Sequence, residues 1–399
     1  MRTTKDISGL FQPLEDIISS TFIPKTISNQ LTPNNRKLLS LPARHGGLGI
    51  FNPVEIADFE YASSAAATAP LSKIINEQKT QFDPESLHLL KRELESAKSE
   101  MLTTKRLNQT KAEELVREAL PPNEQRFHQE RTRRGSSIWV TSLPLKEHRF
   151  NLNKQEFWDS MSLRYCLELE GRPPNCPCGK PNTTEHSLSC HLGGYVQLRH
   201  NEIRDLTANL LKEAGCRDVS REPHLLPITG ETFRLKSANT ANDARLDVAA
   251  RDFWLPMDKI YTDVRIFNPL APTNSAIPLD TALKRHEDEK KRCYNERVLE
   301  VEQSCFCPLV FSVTGALGNE AEKFYRRLAK LLADKTHQAY SDTIRYIRQR
   351  LSFTLLRTTV ISLRGHRGNK FTKTRQYKSE LNDINLLYNT FNSTKFNQF

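Results

Sequence analysis

Three short apolar runs with an alternating pattern lie in the second half of the chain. They are DARLDVAAR, KIYTDVRIF and FCPLVFSVTG, and each is enriched in residues that favour strands. The charged segment TALKRHEDEKKRCYNERVLEVEQS stands between the second and third runs and has the pattern of a helix. The order strand, strand, helix, strand predicts an α/β fold around one sheet.

Apolar residues at helical spacing dominate most of the remaining chain. This spacing predicts helices in LHLLKRELESAKSEMLTTKRL, KAEELVREAL, NEIRDLTANLLKEAG, NEAEKFYRRLAKLLADKTHQAY and SDTIRYIRQRLSFTLLRTTVISLRG. Glycines interrupt LPARHGGLGIFNP at 41–53, which predicts a loop that enters a helix. The apolar stretch SSIWVTSLPL at 136–145 has strand character, and we expect a strand there.

Changes in composition divide the chain into five predicted segments. Residues 1–70 are turn-rich, and 71–135 form a charged helical connector. A linker and a Cys-rich loop occupy 136–195, and the predicted α/β domain occupies 196–365. Residues 366–399 are rich in Asn, Thr and Lys with little periodicity, which predicts a disordered tail.

Net charge, targeting signals and cysteine content indicate which partners and which cellular compartment to expect for this protein. The chain has 58 Lys and Arg against 47 Asp and Glu, a net charge of +11, which favours nucleic acid or another polyanion as a partner. The first twenty residues lack the apolar core of a signal peptide, and no long apolar run predicts a membrane span. We therefore expect a soluble, intracellular protein. Its eight cysteines would then lie in a reducing compartment, where a close cluster of cysteines binds metal more readily than it forms disulfides.

The loop CPCGKPNTTEHSLSC at 176–190 contains a candidate metal site. Four soft or borderline ligands within fifteen residues suit a structural Zn²⁺, which prefers a tetrahedron of Cys and His; they are Cys176, Cys178, His186 and Cys190. The C-x-C spacing is tight, so His191 or His200 could replace one of the four. The alternative interpretation is a loop with ordinary reduced thiols.

Two aspartates, Asp247 and Asp263, fall inside the first two predicted strands of this basic chain. If both carboxylates project from one edge of the sheet on adjacent strands, together they can bind a hard cation such as Mg²⁺. Such a cation activates water and stabilises the charge that develops during attack on a phosphodiester. The alternative is structural, with the two aspartates paired to Arg245 and Arg265.

A nuclease of the restriction type also requires a lysine near its metal. Arg265 stands two residues after the second aspartate, but a guanidinium is a poor proton acceptor. The following predicted helix offers Lys284, Lys290 and Lys291, and Glu202 is a candidate third carboxylate.

The order of these pieces resembles a known family. CPCGKPNTTEHSLSC, GGYVQLRHNEIRDLTANLL, ARLDVAARDFW, TDVRIFNPLAP and KRHEDEKKRCYNERV together resemble the C-terminal zinc knuckle and restriction-like PD-(D/E)XK endonuclease of non-LTR retrotransposons. Members nick their DNA target and prime reverse transcription from the nick. LPARHGGLGI also resembles the thumb region of their reverse transcriptase, so the resemblance covers roughly residues 20–65 and 136–365.

The resemblance implies roles for individual residues. The first catalytic aspartate of the family falls on Asp247, with Leu246 where proline is usual, and the second falls on Asp263. The family's lysine, a few residues before a tyrosine, falls on Lys290 or Lys291. The family's zinc ligands, and the Arg-His pair that follows them, fall on Cys176, Cys178, His186, Cys190, Arg199 and His200.

The resemblance implies a restriction-like sheet flanked by helices, a small zinc knuckle and an N-terminal helical segment that is a thumb remnant. No Tyr/Phe-x-Asp-Asp motif precedes LPARHGGLGI, so we expect a chain that is not a polymerase by itself. The leading hypothesis is an Mg²⁺-dependent DNA endonuclease in the nucleus, with element RNA as a further partner and the oligomeric state open. Its predicted nucleic-acid contacts are Arg199, His200, Arg265 and Lys284.

Two further hypotheses stay open. The first is a nucleic-acid-binding module that holds a structural zinc but has no catalytic activity, because the aspartates are structural or the site has decayed. The second is a retrotransposon relic that folds poorly, because its thumb segment has no palm to pack against and exposes an apolar surface.

Overall fold

The structure, a computed structural model, describes residues 1–30, 32–78, 84–169, 171–365 and 367. The chain forms two compact units, Met1–Glu168 and Leu169–Phe399. Residues 136–168, which composition grouped with the Cys-rich loop, belong to the first unit. Apart from Arg367, the predicted disordered tail lies outside the described residues.

The regular secondary structure of the first unit, among its described residues, is all helical. The two charged helices predicted within 71–135 are one continuous helix, α5 Pro84–Ala119. A second long helix, α4 Pro53–Asn76, lies mostly in the segment that was predicted to be turn-rich. The helices of this unit are α1 Gln12–Ile17, α2 Ile23–Ile27, α3 Pro33–Ser40, α4 Pro53–Asn76, α5 Pro84–Ala119, α6 Pro122–Thr132, α7 Ile138–Thr141 and α8 Lys154–Tyr165.

The strand predicted at 136–145 is wrong. The short helix α7 occupies this stretch, and it buries Trp139. Ser142 Oγ donates to the Ile138 carbonyl at 2.7 Å, which closes a helical turn. A short apolar run is compatible both with a buried helical turn and with a buried strand, so its pattern does not distinguish the two.

The glycine-rich stretch at 41–53 is a loop that enters a helix, as predicted. A 3₁₀ turn at Ala43–His45 ends at Gly46, whose φ of +86° favours glycine. A Cβ added at Gly47 would lie 1.9 Å from the Leu41 carbonyl oxygen, so the close approach of the backbone requires glycine there. Asn52 Oδ1 then accepts from the Val54 and Glu55 amides and caps α4.

The second unit contains one mixed sheet and six helices among its described residues. The elements are α9 Thr184–Ser189, α10 Tyr195–Glu213, β1 Arg217–Arg221, β2 Val248–Arg251, β3 Lys259–Phe267, α11 Pro272–Ser275, α12 Leu279–Glu300, β4 Cys305–Ser312, α13 Asn319–Thr336 and α14 Tyr340–Arg364. The strand order is β1-β2-β3-β4; neighbouring strands from β1 to β3 are antiparallel, and β3 and β4 are parallel.

The predicted α/β class and its three strands are therefore confirmed, with α12 between the second and third of them. The sequence analysis missed β1. Its residues, RDVSR, are mostly charged or polar because β1 lies at the edge of the sheet and only Val219 is partly buried. A strand of this composition has no apolar alternation to detect.

The two faces of the sheet contact different helices. Val248, Val264 and Phe311 belong to a core shared with α10, α13 and α14. On the other face, Ala249 and Tyr261 pack with Val298 of α12. Side chains alternate along a strand, so odd-numbered positions of β3 face α12. Asp263 is one of them, so its side chain lies on the face that α12 covers, next to Lys290.

None of the helices in the described part of the chain combines the length and apolar character needed to span a bilayer.

Candidate metal centre and carboxylate site

A tight turn brings the first two cysteines of the loop together. The Cys176 amide donates to the Lys180 carbonyl at 2.8 Å, and the Gly179 amide donates to the Cys176 carbonyl at 2.9 Å. Gly179 has φ +88°, which favours glycine. Asn175 and Pro181 form a bridge across the base of the turn. The tight C-x-C spacing is thus accommodated by a turn closed with backbone hydrogen bonds.

The other two ligands come from α9 and from Cys190, the residue that follows it. Thr183 Oγ1 accepts from the His186 amide at 3.1 Å and caps the helix at its start. The Cys190 amide donates to the His186 carbonyl at 2.8 Å, which places Cys190 one turn beyond His186. Residues four apart lie on one face of a helix, so both side chains point towards the turn.

The four side chains converge on one point. Cys176 Sγ lies 3.9 Å from Cys190 Sγ, and Cys178 Sγ lies 3.2 Å from His186 Nε2. All four ligand atoms lie within 4.8 Å of one another. A tetrahedral zinc with bonds of about 2.3 Å to sulfur requires ligand atoms about 3.8 Å apart, so the residues present fit this group. The cluster could hold a metal such as zinc.

The predicted ligand set is therefore the one that converges. His191 and His200, the alternative ligands, lie outside this set. His200 is engaged elsewhere, because its Nε2 lies 3.1 Å from Asp247 Oδ2. All four cluster residues come from one loop and one short helix.

The antiparallel pairing of β2 and β3 brings the two aspartates together. Val248 pairs with Thr262, and the Asp247 amide donates to the Thr262 carbonyl at 3.0 Å, so Asp247 continues the ladder opposite Asp263. Asp247 Oδ2 also accepts from the Val264 amide at 2.5 Å. The register therefore sets the two aspartates opposite each other on neighbouring strands.

Each carboxylate has a basic partner. Lys290 Nζ of α12 lies 2.6 Å from Asp263 Oδ2, and His200 Nε2 of α10 lies 3.1 Å from Asp247 Oδ2. The arginine partners proposed in the structural alternative, Arg245 and Arg265, are not the ones that the two aspartates use. The two carboxylates thus already have nearby basic groups that offset their repulsion.

Burial and mutual charge shift the pKa values of these groups. Burial, reinforced by the charge of Asp247, raises the pKa of Asp263, although Lys290 opposes this shift. Burial disfavours the ammonium of Lys290, but the adjacent Asp263 outweighs it and raises the Lys290 pKa. Burial also disfavours protonated His200, yet its hydrogen bond to Asp247 and the charge of Asp247 raise the His200 pKa.

The structure distinguishes the two candidate lysines. Lys290 contacts the carboxylate pair, and its Nζ lies 5.7 Å from the ring centroid of Tyr294 one turn later. Lys291 points away from the pair and forms an ion pair with Glu320 at 3.1 Å. The helical rotation of about 100° between adjacent residues separates the two side chains.

Glu202 does not join Asp247 and Asp263 as a third carboxylate ligand. Among the described residues, the Cys/His cluster is the one group of three or more His, Cys, Asp or Glu side chains that lie close enough together to hold a metal ion. Asp247, Asp263 and Glu202 therefore do not form a compact three-carboxylate site.

The four candidate nucleic-acid residues lie in different environments. Arg199 is buried and donates from Nη2 to the Leu188 carbonyl at 2.8 Å, so its contact is structural and a phosphate does not reach it. His200 contacts Asp247. Arg265 is exposed, two residues after Asp263 on the same face of β3. Lys284 is exposed and pairs with Asp288 at 2.9 Å.

No family model and no curated protein matches the sequence. Interpretation of the two sites therefore rests on their geometry.

Sequence reasoning missed the role of His200. It grouped this residue with zinc binding and nucleic acid, whereas its closest charged partner is the first aspartate of the pair. The two residues are 47 positions apart, and no periodicity relates the first turns of α10 to the start of β2. Only the packing of α10 across the sheet brings them together.

Proposed function

We propose that the second unit is a metal-dependent DNA endonuclease of retrotransposon origin, with the restriction-like arrangement that the motif order implies. The observation that carries the proposal is the cross-strand pair of Asp247 and Asp263 with Lys290 beside it. Two carboxylates and one lysine at one point of a sheet are the groups that a phosphodiesterase of this type requires.

Asp247 and Asp263 would hold the cation, and both present oxygen ligands of the kind that Mg²⁺ prefers. When bound, the cation supplies an activated water and offsets the charge that develops on the phosphate. Lys290 has a raised pKa and carries an ammonium at neutral pH, so we assign it to orienting the attacking water and balancing the phosphate charge, not to removing a proton. Arg265 would contact the DNA backbone close to the scissile phosphate.

The Cys/His cluster has a separate role in this proposal. With four protein ligands, a zinc ion there has no open coordination position, so we assign it to structure. DNA in the nucleus is the proposed partner. RNA of the same element is a second ligand that presents the same phosphates.

A second function is favoured by one specific observation. Both carboxylates already have basic partners in the structure, His200 on Asp247 and Lys290 on Asp263, and such a network can serve stability alone. In that case the unit binds nucleic acid without cutting it, and a cation would have to compete with two side chains.

The deciding experiment measures nicking of supercoiled plasmid by the full chain with Mg²⁺ and with EDTA. The test variant is Asp263→Asn, and the matched control is Asp258→Asn, an exposed aspartate at the start of β3. Metal-dependent nicking that is lost in Asp263→Asn and kept in Asp258→Asn supports the endonuclease. DNA binding without nicking in every protein would establish the binding module instead.

A further inference from the structure

The helix that carries the metal ligand His186 is held by buried donors from three places. Asn268 Nδ2 donates to the Glu185 carbonyl at 3.0 Å and to Ser189 Oγ at 2.8 Å. Arg199 donates to the Leu188 carbonyl at 2.8 Å, and Arg367 donates to the Ser187 carbonyl at 3.0 Å. Asn268, Arg199 and Arg367 are all buried.

Two of these donors stand next to the carboxylate site in sequence. Asn268 follows the last residue of β3, the strand that carries Asp263. Arg199 immediately precedes His200 on α10, and His200 contacts Asp247. The helix α9 is thus joined on one side to the strand of Asp263 and on the other side to the helix that contacts Asp247.

Six residues are too few for α9 to be stable alone, because a helix of this length does not offset the cost of its nucleation. Its order must come from its surroundings: the metal bound to His186 and Cys190, these donors, and the packing of the buried Leu188. Loss of the metal removes one of these sets of contacts, so the acceptors of the donors become less ordered.

We propose that Asn268 and Arg199 are positioning residues that couple metal binding at the Cys/His cluster to the order of the carboxylate pair. Metal in the cluster orders α9, the ordered α9 fixes Asn268 and Arg199, and these fix the end of β3 and the start of α10. The inference rests on a metal bound at the cluster and does not require nuclease activity.

The coupling is reciprocal, so it can be measured from either site. The Val264 amide is a natural reporter, because its acceptor is the side chain of Asp247 and not a strand carbonyl. Its hydrogen exchange reports the order of the carboxylate pair directly. The Leu328 amide, buried in α13 and outside the sheet, is the internal control.

The first experiment compares amide exchange of the full chain with Zn²⁺ and in the Cys178→Ser variant. We expect exchange of Val264 to be roughly tenfold faster in Cys178→Ser and exchange of Leu328 to be unchanged. Equal Val264 exchange in both proteins would overturn the coupling. Faster exchange at both amides would also overturn it, since it would indicate general destabilisation.

The second experiment measures Co²⁺ affinity of the cluster from the thiolate-to-cobalt absorption. Removal of one to two hydrogen bonds is expected to weaken binding roughly fivefold to tenfold in Asn268→Ala. Ser189→Ala, which removes one of the two acceptors of Asn268 from an exposed position, should weaken it less. Asn274→Ala is the matched control, because Asn274 Nδ2 donates to the backbone carbonyl of Asn268, and its loss leaves the Asn268 side chain in place.

Affinity that falls in Asn268→Ala and Ser189→Ala but not in Asn274→Ala supports the assignment. Equal loss in Asn268→Ala and Asn274→Ala would overturn it, since the turn after β3 would then be acting through general stability. A chain that never nicks DNA leaves both readouts intact, so failure of the proposed function and failure of this coupling are distinguishable.

Discussion

The Cys/His cluster and the carboxylate pair differ in how their charges are satisfied. The cluster consists of three cysteines and one histidine, and none of the four is a lysine or arginine that could balance the charge of cysteine thiolates. The carboxylate pair has a basic group on each acid, Lys290 on Asp263 and His200 on Asp247. A metal completes the first site, whereas at the second it has to compete with the protein's own basic side chains.

The largest effect is expected from removal of a ligand of the cluster. Cys190→Ser deletes a buried thiolate ligand and should abolish stoichiometric metal binding, which we expect to be one zinc per chain in the wild type. Elemental analysis of the purified protein measures this. Cys305→Ser, at an exposed cysteine outside the cluster, is the control and should keep its metal. Loss of zinc in both variants would contradict the four-ligand assignment.

The next effect concerns the pair of Lys290 and Asp263. Lys290→Met leaves a buried carboxylate without its partner and should lower the free energy of unfolding by about 3 kcal/mol. The double variant Lys290→Met/Asp263→Asn removes both charges and should recover most of that loss. Urea unfolding of the three proteins measures the difference. If the double variant is no more stable than Lys290→Met, the loss of stability in Lys290→Met does not come from the unpaired carboxylate of Asp263.

A smaller effect is expected in the pH dependence of stability. The His200 pKa is raised above its usual value of 6.5 when folded, so its stabilising contribution is complete below about pH 6.5 and is lost as the pH rises through the raised pKa. Asp247→Asn removes the charge that favours protonated His200. The histidine NMR titration should then shift to lower pH, and this part of the pH dependence should disappear. An unshifted histidine titration in Asp247→Asn would show that Asp247 does not control the pKa of His200.

The smallest effect is expected at the surface. Lys284 pairs with Asp288 in solvent, so Lys284→Ala should leave the unfolding curve unchanged. If Lys284 contacts a phosphate, the slope of DNA affinity against salt should fall by about one in Lys284→Ala. Fluorescence anisotropy at several salt concentrations measures this slope. Lys323→Ala, an exposed lysine near Glu320, is a control expected to keep the slope of the wild type.

Local features of the sequence determined the Cys/His cluster. Its four ligands lie within fifteen residues, and a glycine turn and one helical cap suffice to bring them together, so spacing alone predicts the set. The three apolar strands and the charged helix between them were predictable for the same reason, because periodicity reports which face of an element is buried. The apolar stretch around Trp139 misled the prediction, since a buried helical turn and a strand share that composition.

Tertiary structure alone decided the carboxylate site. The spacing of sixteen residues between Asp247 and Asp263 permits many registers, and only the pairing of Val248 with Thr262 sets them opposite each other. Two adjacent lysines fit the sequence equally well, until the rotation of α12 directs Lys290 to Asp263 and Lys291 to Glu320. Contacts between distant segments depend on how helices pack on the sheet, and no local pattern of residues encodes that packing.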